Sequence, residues 1–78
     1  MTNLKKYRAA FAEGLEIDGA QAEGASVGTV AAWDSITQMS LIAALEETFE
    51  IEIEPEDIVA LNSWENGIEI LKKYGIEV

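Results

Sequence analysis

The stretch from Trp33 to Phe49 constrains the fold more than any other part of the chain. On a helix of about 3.6 residues per turn, Leu41, Leu45 and Phe49 follow one another at successive turns of a single face. Such a stripe is typical of a helix that packs against a core. We therefore predict an amphipathic helix over residues 35–50, with this stripe buried.

The opposite side of the same predicted helix carries small, acidic and isolated apolar side chains. Met39 and Glu46 fall between the two sides, on one shoulder. We expect Ile36 and Met39 to be at least partly exposed, because both lie away from the stripe. The residues of the outer side are Ile36, Ser40, Ala43, Glu47 and Glu50.

Apolar spacing predicts three more helices, near residues 2–13, 55–61 and 64–74. Pro55 is well placed at a first helical position, where its missing N–H costs nothing. Ser63 can accept a hydrogen bond from the first turn of the last helix. Together with the central helix, these segments predict an all-α fold, a small four-helix bundle with a short third helix.

A long first loop is predicted over residues 14–33, which contain four glycines and many small side chains. Ile17, Val27 and Val30 are its expected anchors in the core. Loops of this length are uncommon in compact domains and often have a function. The chain is short, so we expect one domain over residues 1–78.

The charge of the chain narrows its possible partners. The formal net charge is −10, and no Lys or Arg occurs between Ala9 and Leu71. Nucleic acids and anionic membranes both require cationic protein surface, so neither is an expected partner. An acidic surface instead favours encounter with basic proteins. No apolar run approaches a membrane span and no signal peptide opens the chain, so we expect a cytoplasmic protein. The basic residues are Lys5, Lys6, Arg8, Lys72 and Lys73.

Catalysis by the chain itself is not expected. The sequence has no histidine and no cysteine, so Ser35 has no histidine to activate it. Lys72 and Lys73 are expected to be solvated residues at a helix end. Seven carboxylates lie between Glu46 and Asp57, but they lack the spacing and the glycine of a calcium loop. We predict neither enzymatic activity nor a metal site.

Ser35 stands where the irregular segment ends and the central helix begins, which leaves two interpretations. The run from Ser35 to Gln38 fits a capping box, with serine at the cap and glutamine three residues later. Alternatively, Asp34 is the cap and the Ser35 hydroxyl is free for chemistry done by another protein. Local physics alone favours the serine cap.

The same region resembles the acyl carrier protein family. The resemblance rests on Asp34-Ser35-Ile36, then Leu41, Leu45-Glu46-Glu47, Phe49 and Ile51. It implies that Ser35 is the attachment site of 4′-phosphopantetheine, which a separate phosphopantetheinyl transferase takes from coenzyme A. It also implies a non-catalytic protein that carries an acyl or aminoacyl thioester between enzymes of a fatty acid, polyketide or other specialised pathway.

The resemblance further implies how partners recognise the chain. Asp34 would help to position Ser35, and a ligase, synthase or transferase with a basic docking surface would bind a monomeric carrier. Thr37 and Ser40 stand where carriers of fatty acid synthesis usually have acidic residues, which leaves a dedicated ligase or transferase as an alternative to the enzymes of fatty acid synthesis. The alternative is an unmodified acidic helical interaction module. The expected recognition residues are Asp34, Ile36, Met39, Glu46, Glu47 and Glu50.

Overall fold

A computed structural model describes residues 2–31 and 33–78 of the chain. Those residues form a bundle of α-helices, which confirms the predicted all-α fold. None of the helices in these two ranges is long and apolar enough to cross a membrane. In chain order the helices are α1 (Asn3–Leu15), α2 (Gly19–Ala22), α3 (Ser35–Phe49), α4 (Pro55–Ala60) and α5 (Trp64–Lys73).

The packing of α1 against α3 depends on a residue that the sequence placed in the loop. Gly14 lies within α1, so this helix continues to Leu15, beyond the predicted end at residue 13. A Cβ atom on Gly14 would lie 2.4 Å from the Cα atom of Leu41. The two helix backbones therefore approach so closely that only glycine fits, and this contact overrides the low helix propensity of glycine.

The first connection is less irregular than predicted, because it contains α2. The Asp18 backbone N–H donates to the Gln21 Oε1 atom at 3.2 Å, and Ala22 is fully buried. An aspartate followed three residues later by a glutamine is a helix-start signal in the sequence. Val30 packs against the core as expected, whereas Val27 is 49 % exposed, so its prediction as an anchor is wrong.

An aromatic cluster fills the core between α1, α3 and α5. The Phe11 ring lies edge-on to the rings of Trp33 and Trp64, with centroids at 5.6 Å and 5.3 Å. The Tyr7 hydroxyl donates to the Trp64 carbonyl oxygen at 2.6 Å. Burial raises the pKa of the Tyr7 phenol, which keeps this donor neutral. The predicted stripe of α3 is confirmed at its first two positions, while its last member at the helix end is half-buried.

The start of α4 is held by a buried carboxylate. Asp57 is only 4 % exposed, and it accepts hydrogen bonds from the Lys73 Nζ atom and the Tyr74 hydroxyl, each at 2.6 Å. The Tyr74 hydroxyl in turn accepts from the Glu54 backbone N–H at 2.8 Å. Lys73 is exposed at the end of α5, as the sequence predicted, and it also pairs with an acidic side chain of α4.

The first connection is tied to the junction between α4 and α5. The Val27 N–H donates to the Asn62 carbonyl oxygen at 3.0 Å, and the Trp64 N–H donates to the Ala25 carbonyl oxygen at 2.8 Å. These bonds bring the exposed Val27 side chain to the end of the bundle where α3 begins.

Candidate functional site

Asp34, and not Ser35, caps α3. The Asp34 Oδ1 atom accepts the N–H groups of Ile36 and Thr37, both at 3.0 Å. Thr37 completes a capping box, because its Oγ1 atom accepts the Asp34 N–H at 2.8 Å. The hydrogen bond from the Thr37 N–H, reinforced by that from Ile36, lowers the pKa of Asp34. The cap is therefore a carboxylate at neutral pH.

The serine cap favoured by local physics is wrong, and the alternative interpretation of Ser35 is the observed one. Ser35 occupies the first helical position and is exposed. Its hydroxyl makes no hydrogen bond to any residue in the described part of the chain. The Ser35 hydroxyl is therefore free and accessible from solvent at the start of α3.

Gln38 shows why the serine cap does not form. Its Nε2 atom donates to the carbonyl oxygens of Ile58 at 2.7 Å and Leu61 at 3.0 Å. Its Oε1 atom accepts the indole N–H of Trp33. The amide that a serine capping box requires is therefore engaged with α4 and with the preceding tryptophan.

An apolar groove of about 470 Å³ lies beside Ser35, between the start of α3 and α4. Its floor is formed by Trp33 and Leu61, which are 5 % and 3 % exposed. The exposed side chains of Met39 and Val59 border it. The groove residues are Val27, Trp33, Asp34, Ser35, Gln38, Met39, Ile58, Val59, Leu61 and Asn62.

The apolar residues predicted to recognise partners are exposed, as the helical wheel predicted. Ile36 is 76 % exposed and Met39 is 56 % exposed, within about one turn of Ser35. Val59 on α4 is 84 % exposed, and the sequence reasoning did not single it out. The sequence contains a signal for it, because Ile58 and Leu61 are three residues apart and share one face of a helix, which leaves position 59 on another face.

The three glutamates predicted to recognise partners do not lie close to Ser35. The Glu46 Oε2 atom accepts the Ile53 N–H at 2.9 Å, so this half-buried carboxylate stabilises the segment that follows α3. Glu47 and Glu50 are exposed, but they lie about 18 Å and 22 Å from Ser35 along the helix axis. In residues 2–31 and 33–78, no group of three or more carboxylates is arranged to hold a metal ion.

The start of α3 suits a covalently attached phosphate group. The partial positive charge at the start of this 15-residue helix favours an anion on Ser35. Asp34 already uses the N–H groups of Ile36 and Thr37, so the phosphate would gain the helix dipole rather than those two hydrogen bonds. The groove beside Ser35 offers apolar surface to whatever extends beyond the phosphate.

A comparison with protein families agrees with this geometry. The family model described as a phosphopantetheine attachment site matches residues 8–66, which is most of the chain. No curated protein matches the chain. Domains of the matching family carry a covalent 4′-phosphopantetheine group, are not catalysts, and interact with phosphopantetheinyl transferases and with biosynthetic enzymes. The predicted cofactor and non-catalytic role are thereby confirmed. As its resemblance to acyl carrier proteins predicts, the chain belongs to the phosphopantetheine-attachment family of carrier domains.

Proposed function

We propose that Ser35 is the residue to which 4′-phosphopantetheine is attached. The observation that carries this assignment is the exposed Ser35 hydroxyl, left free by the Asp34 cap at the start of α3. The apolar groove beside it supports the same assignment, because it gives the attached arm a surface to lie against.

The attachment reaction needs a partner enzyme. The Ser35 Oγ atom forms a phosphoester bond, the phosphoanhydride bond of coenzyme A breaks, and the nucleotide part leaves. The hydroxyl proton has to pass to a base of the transferase, because the sequence contains no histidine and Asp34 is committed to the helix cap.

The modified domain then carries an acyl or aminoacyl group as a thioester on the terminal thiol of the arm. The tether raises the effective concentration of that group at each partner active site. Partners of a fatty acid, polyketide or other specialised pathway would dock on the exposed Ile36 and Met39 side chains, with basic residues facing Glu47 and Glu50. The chain works as one monomeric domain over residues 1–78 in this proposal.

The attachment site can be tested by intact-mass measurement. The purified chain is incubated with coenzyme A, Mg²⁺ and a broad-specificity phosphopantetheinyl transferase. We expect the mass of one phosphopantetheine group to be added, and we expect the Ser35→Ala variant to remain unmodified, because no other hydroxyl lies at this helix start in the same free state.

Ser40→Ala is the matched control, because Ser40 is also an exposed serine of α3. It should be modified like the wild type. Addition to the Ser35→Ala variant would move the attachment site elsewhere. An unmodified wild type whose partner binding survives Ser35→Ala would instead favour an acidic interaction module.

A further inference from the structure

The side chain of Gln38 closes the groove beside Ser35 toward the core. Its amide uses both of its polar atoms: it donates to the carbonyl oxygens of Ile58 in α4 and of Leu61, which caps the end of α4, and it accepts the indole N–H of Trp33. We refer to this set of three hydrogen bonds as the Gln38 clamp.

The clamp fixes α4 where apolar packing is sparse. Ala60 and Val59 of α4 are exposed, and Ile58 is only half-buried. The bonds at the carbonyls of Ile58 and Leu61 therefore hold the end of this short helix against α3. Moving α4 away would leave these polar groups without their partners, which is unfavourable in a part-buried site.

Between the groove and the centre of the bundle, the described residues include closely packed aromatic rings. Trp33 forms the floor of the groove, and its ring lies edge-on to Phe11 at a centroid distance of 5.6 Å. Phe11 is itself packed against Tyr7 at 4.9 Å. A chain entering from Ser35 would have to displace Trp33, and with it the indole N–H that Gln38 accepts.

We propose that Gln38 is a specificity-determining residue, which confines the cargo of the Ser35-linked arm to the surface groove. Because Trp33 and Leu61 close the floor of the groove, the acyl group lies in the groove and is not enclosed in the bundle. This inference rests on the proposed attachment at Ser35, since the groove serves an arm that starts there.

The test compares acyl chains of increasing length on the same protein. A broad-specificity transferase attaches the hexanoyl, octanoyl, decanoyl or dodecanoyl form of 4′-phosphopantetheine, taken from the corresponding coenzyme A thioester. Cleavage of each thioester by hydroxylamine is then followed by mass. Enclosure in the core would slow cleavage by roughly fourfold for every additional buried methylene. We expect the same cleavage rate for hexanoyl and dodecanoyl chains.

Gln38→Met tests the clamp itself, because methionine has a similar length and makes none of the three hydrogen bonds. In this variant α4 is released, and we expect dodecanoyl cleavage to become slower than hexanoyl cleavage. Gln21→Met is the matched control at the only other glutamine of the sequence, and it should behave like the wild type. Circular dichroism checks that each variant is folded.

The outcomes separate this inference from the proposed function. If no acylated arm is added to the wild type, or if Ser35→Ala is acylated, then attachment at Ser35 is wrong. If the arm is added to Ser35 but the wild type protects longer chains progressively, then attachment holds and closure by Gln38 is wrong. A Gln38→Met variant that shows no dependence on chain length would likewise remove Gln38 from its role.

Discussion

At the residue scale, two tasks are divided between neighbouring residues: Asp34 caps the helix and Ser35 provides the free hydroxyl. Asp34 satisfies the first N–H groups of α3, and Ser35 keeps its hydroxyl free. A serine that also capped the helix would have its hydroxyl directed at the backbone and less open to an enzyme. The aspartate before the serine is therefore part of the attachment site that we propose, although it does not react.

Replacing Asp34 by alanine should affect both stability and modification. We expect the melting temperature to fall by about 4–8 °C, the range for loss of a side-chain cap in a domain of this size. We also expect slower addition of phosphopantetheine, because Ser35 becomes the best remaining cap. Asp34→Asn is the control, since asparagine caps as well as aspartate. Calorimetry and timed mass spectra give the two readouts, and unchanged modification of the alanine variant would contradict this division of tasks.

The sequence located this junction but indicated the wrong residue as its cap. Ser35 with Gln38 matches the usual capping-box pattern, whereas the box in the structure is formed one residue earlier, by Asp34 with Thr37. The choice is made by tertiary contacts, because Gln38 is bound to α4 and to Trp33. Those partners lie on other elements, so no local rule could identify them.

At the element scale, glycine contacts decide how far α1 extends and how close it comes to α3. Periodicity predicted the existence of the four longer helices, because each has an apolar face. It placed the end of α1 too early, because glycine is usually found in loops. The contact that keeps Gly14 in the helix is with Leu41, which is far away in the sequence. The short α2 was missed because four residues carry no periodic signal.

Gly14→Ala should destabilise the protein even though alanine is the better helix former. The added methyl group would lie within 3.0 Å of three backbone or Cβ atoms of Leu41, so α1 and α3 would have to move apart. We expect a loss of about 1–3 kcal/mol in the free energy of unfolding, typical of overpacking. Urea unfolding measures it. Gly28→Ala is the control, because a Cβ there meets no atom within 4 Å, and a Gly14→Ala variant as stable as this control would refute the close approach.

At the scale of the whole molecule, two of the five basic residues of this acidic chain, Arg8 and Lys73, form ion pairs between different segments. Arg8 pairs with Glu23 at 3.1 Å and lies over the Trp64 ring, and Lys73 pairs with the buried Asp57. The sequence indicated that the acidic middle of the chain has no local cation. It could not show that the ends of the chain fold back to supply one, because that depends on the topology of the bundle.

The ion pair between Asp57 and Lys73 predicts how the free energy of unfolding depends on pH. The hydrogen bond from Lys73, followed by that from Tyr74, lowers the pKa of Asp57 below its ordinary value of 3.8. Its stabilising contribution is therefore present above that value and is lost as the pH falls through the lower folded pKa. The hydrogen bond to Asp57 raises the pKa of Lys73 above 10.5, so the contribution of Lys73 is present below 10.5 and is lost as the pH rises through the higher folded pKa.

Urea unfolding at a series of pH values tests the contribution of this ion pair to stability. We expect Asp57→Asn to be less stable than the wild type at neutral pH, and to lose less stability than the wild type between about pH 4 and pH 2, because the titrating group is gone. Lys73→Met should also be less stable at neutral pH, since it leaves a buried carboxylate without its cation. Glu52→Gln removes an exposed carboxylate that forms no ion pair within the described residues, and it should follow the wild-type profile. If Asp57→Asn ran parallel to the wild type through the acid range, Asp57 would not be the group that ties α4 to α5 in a pH-dependent way.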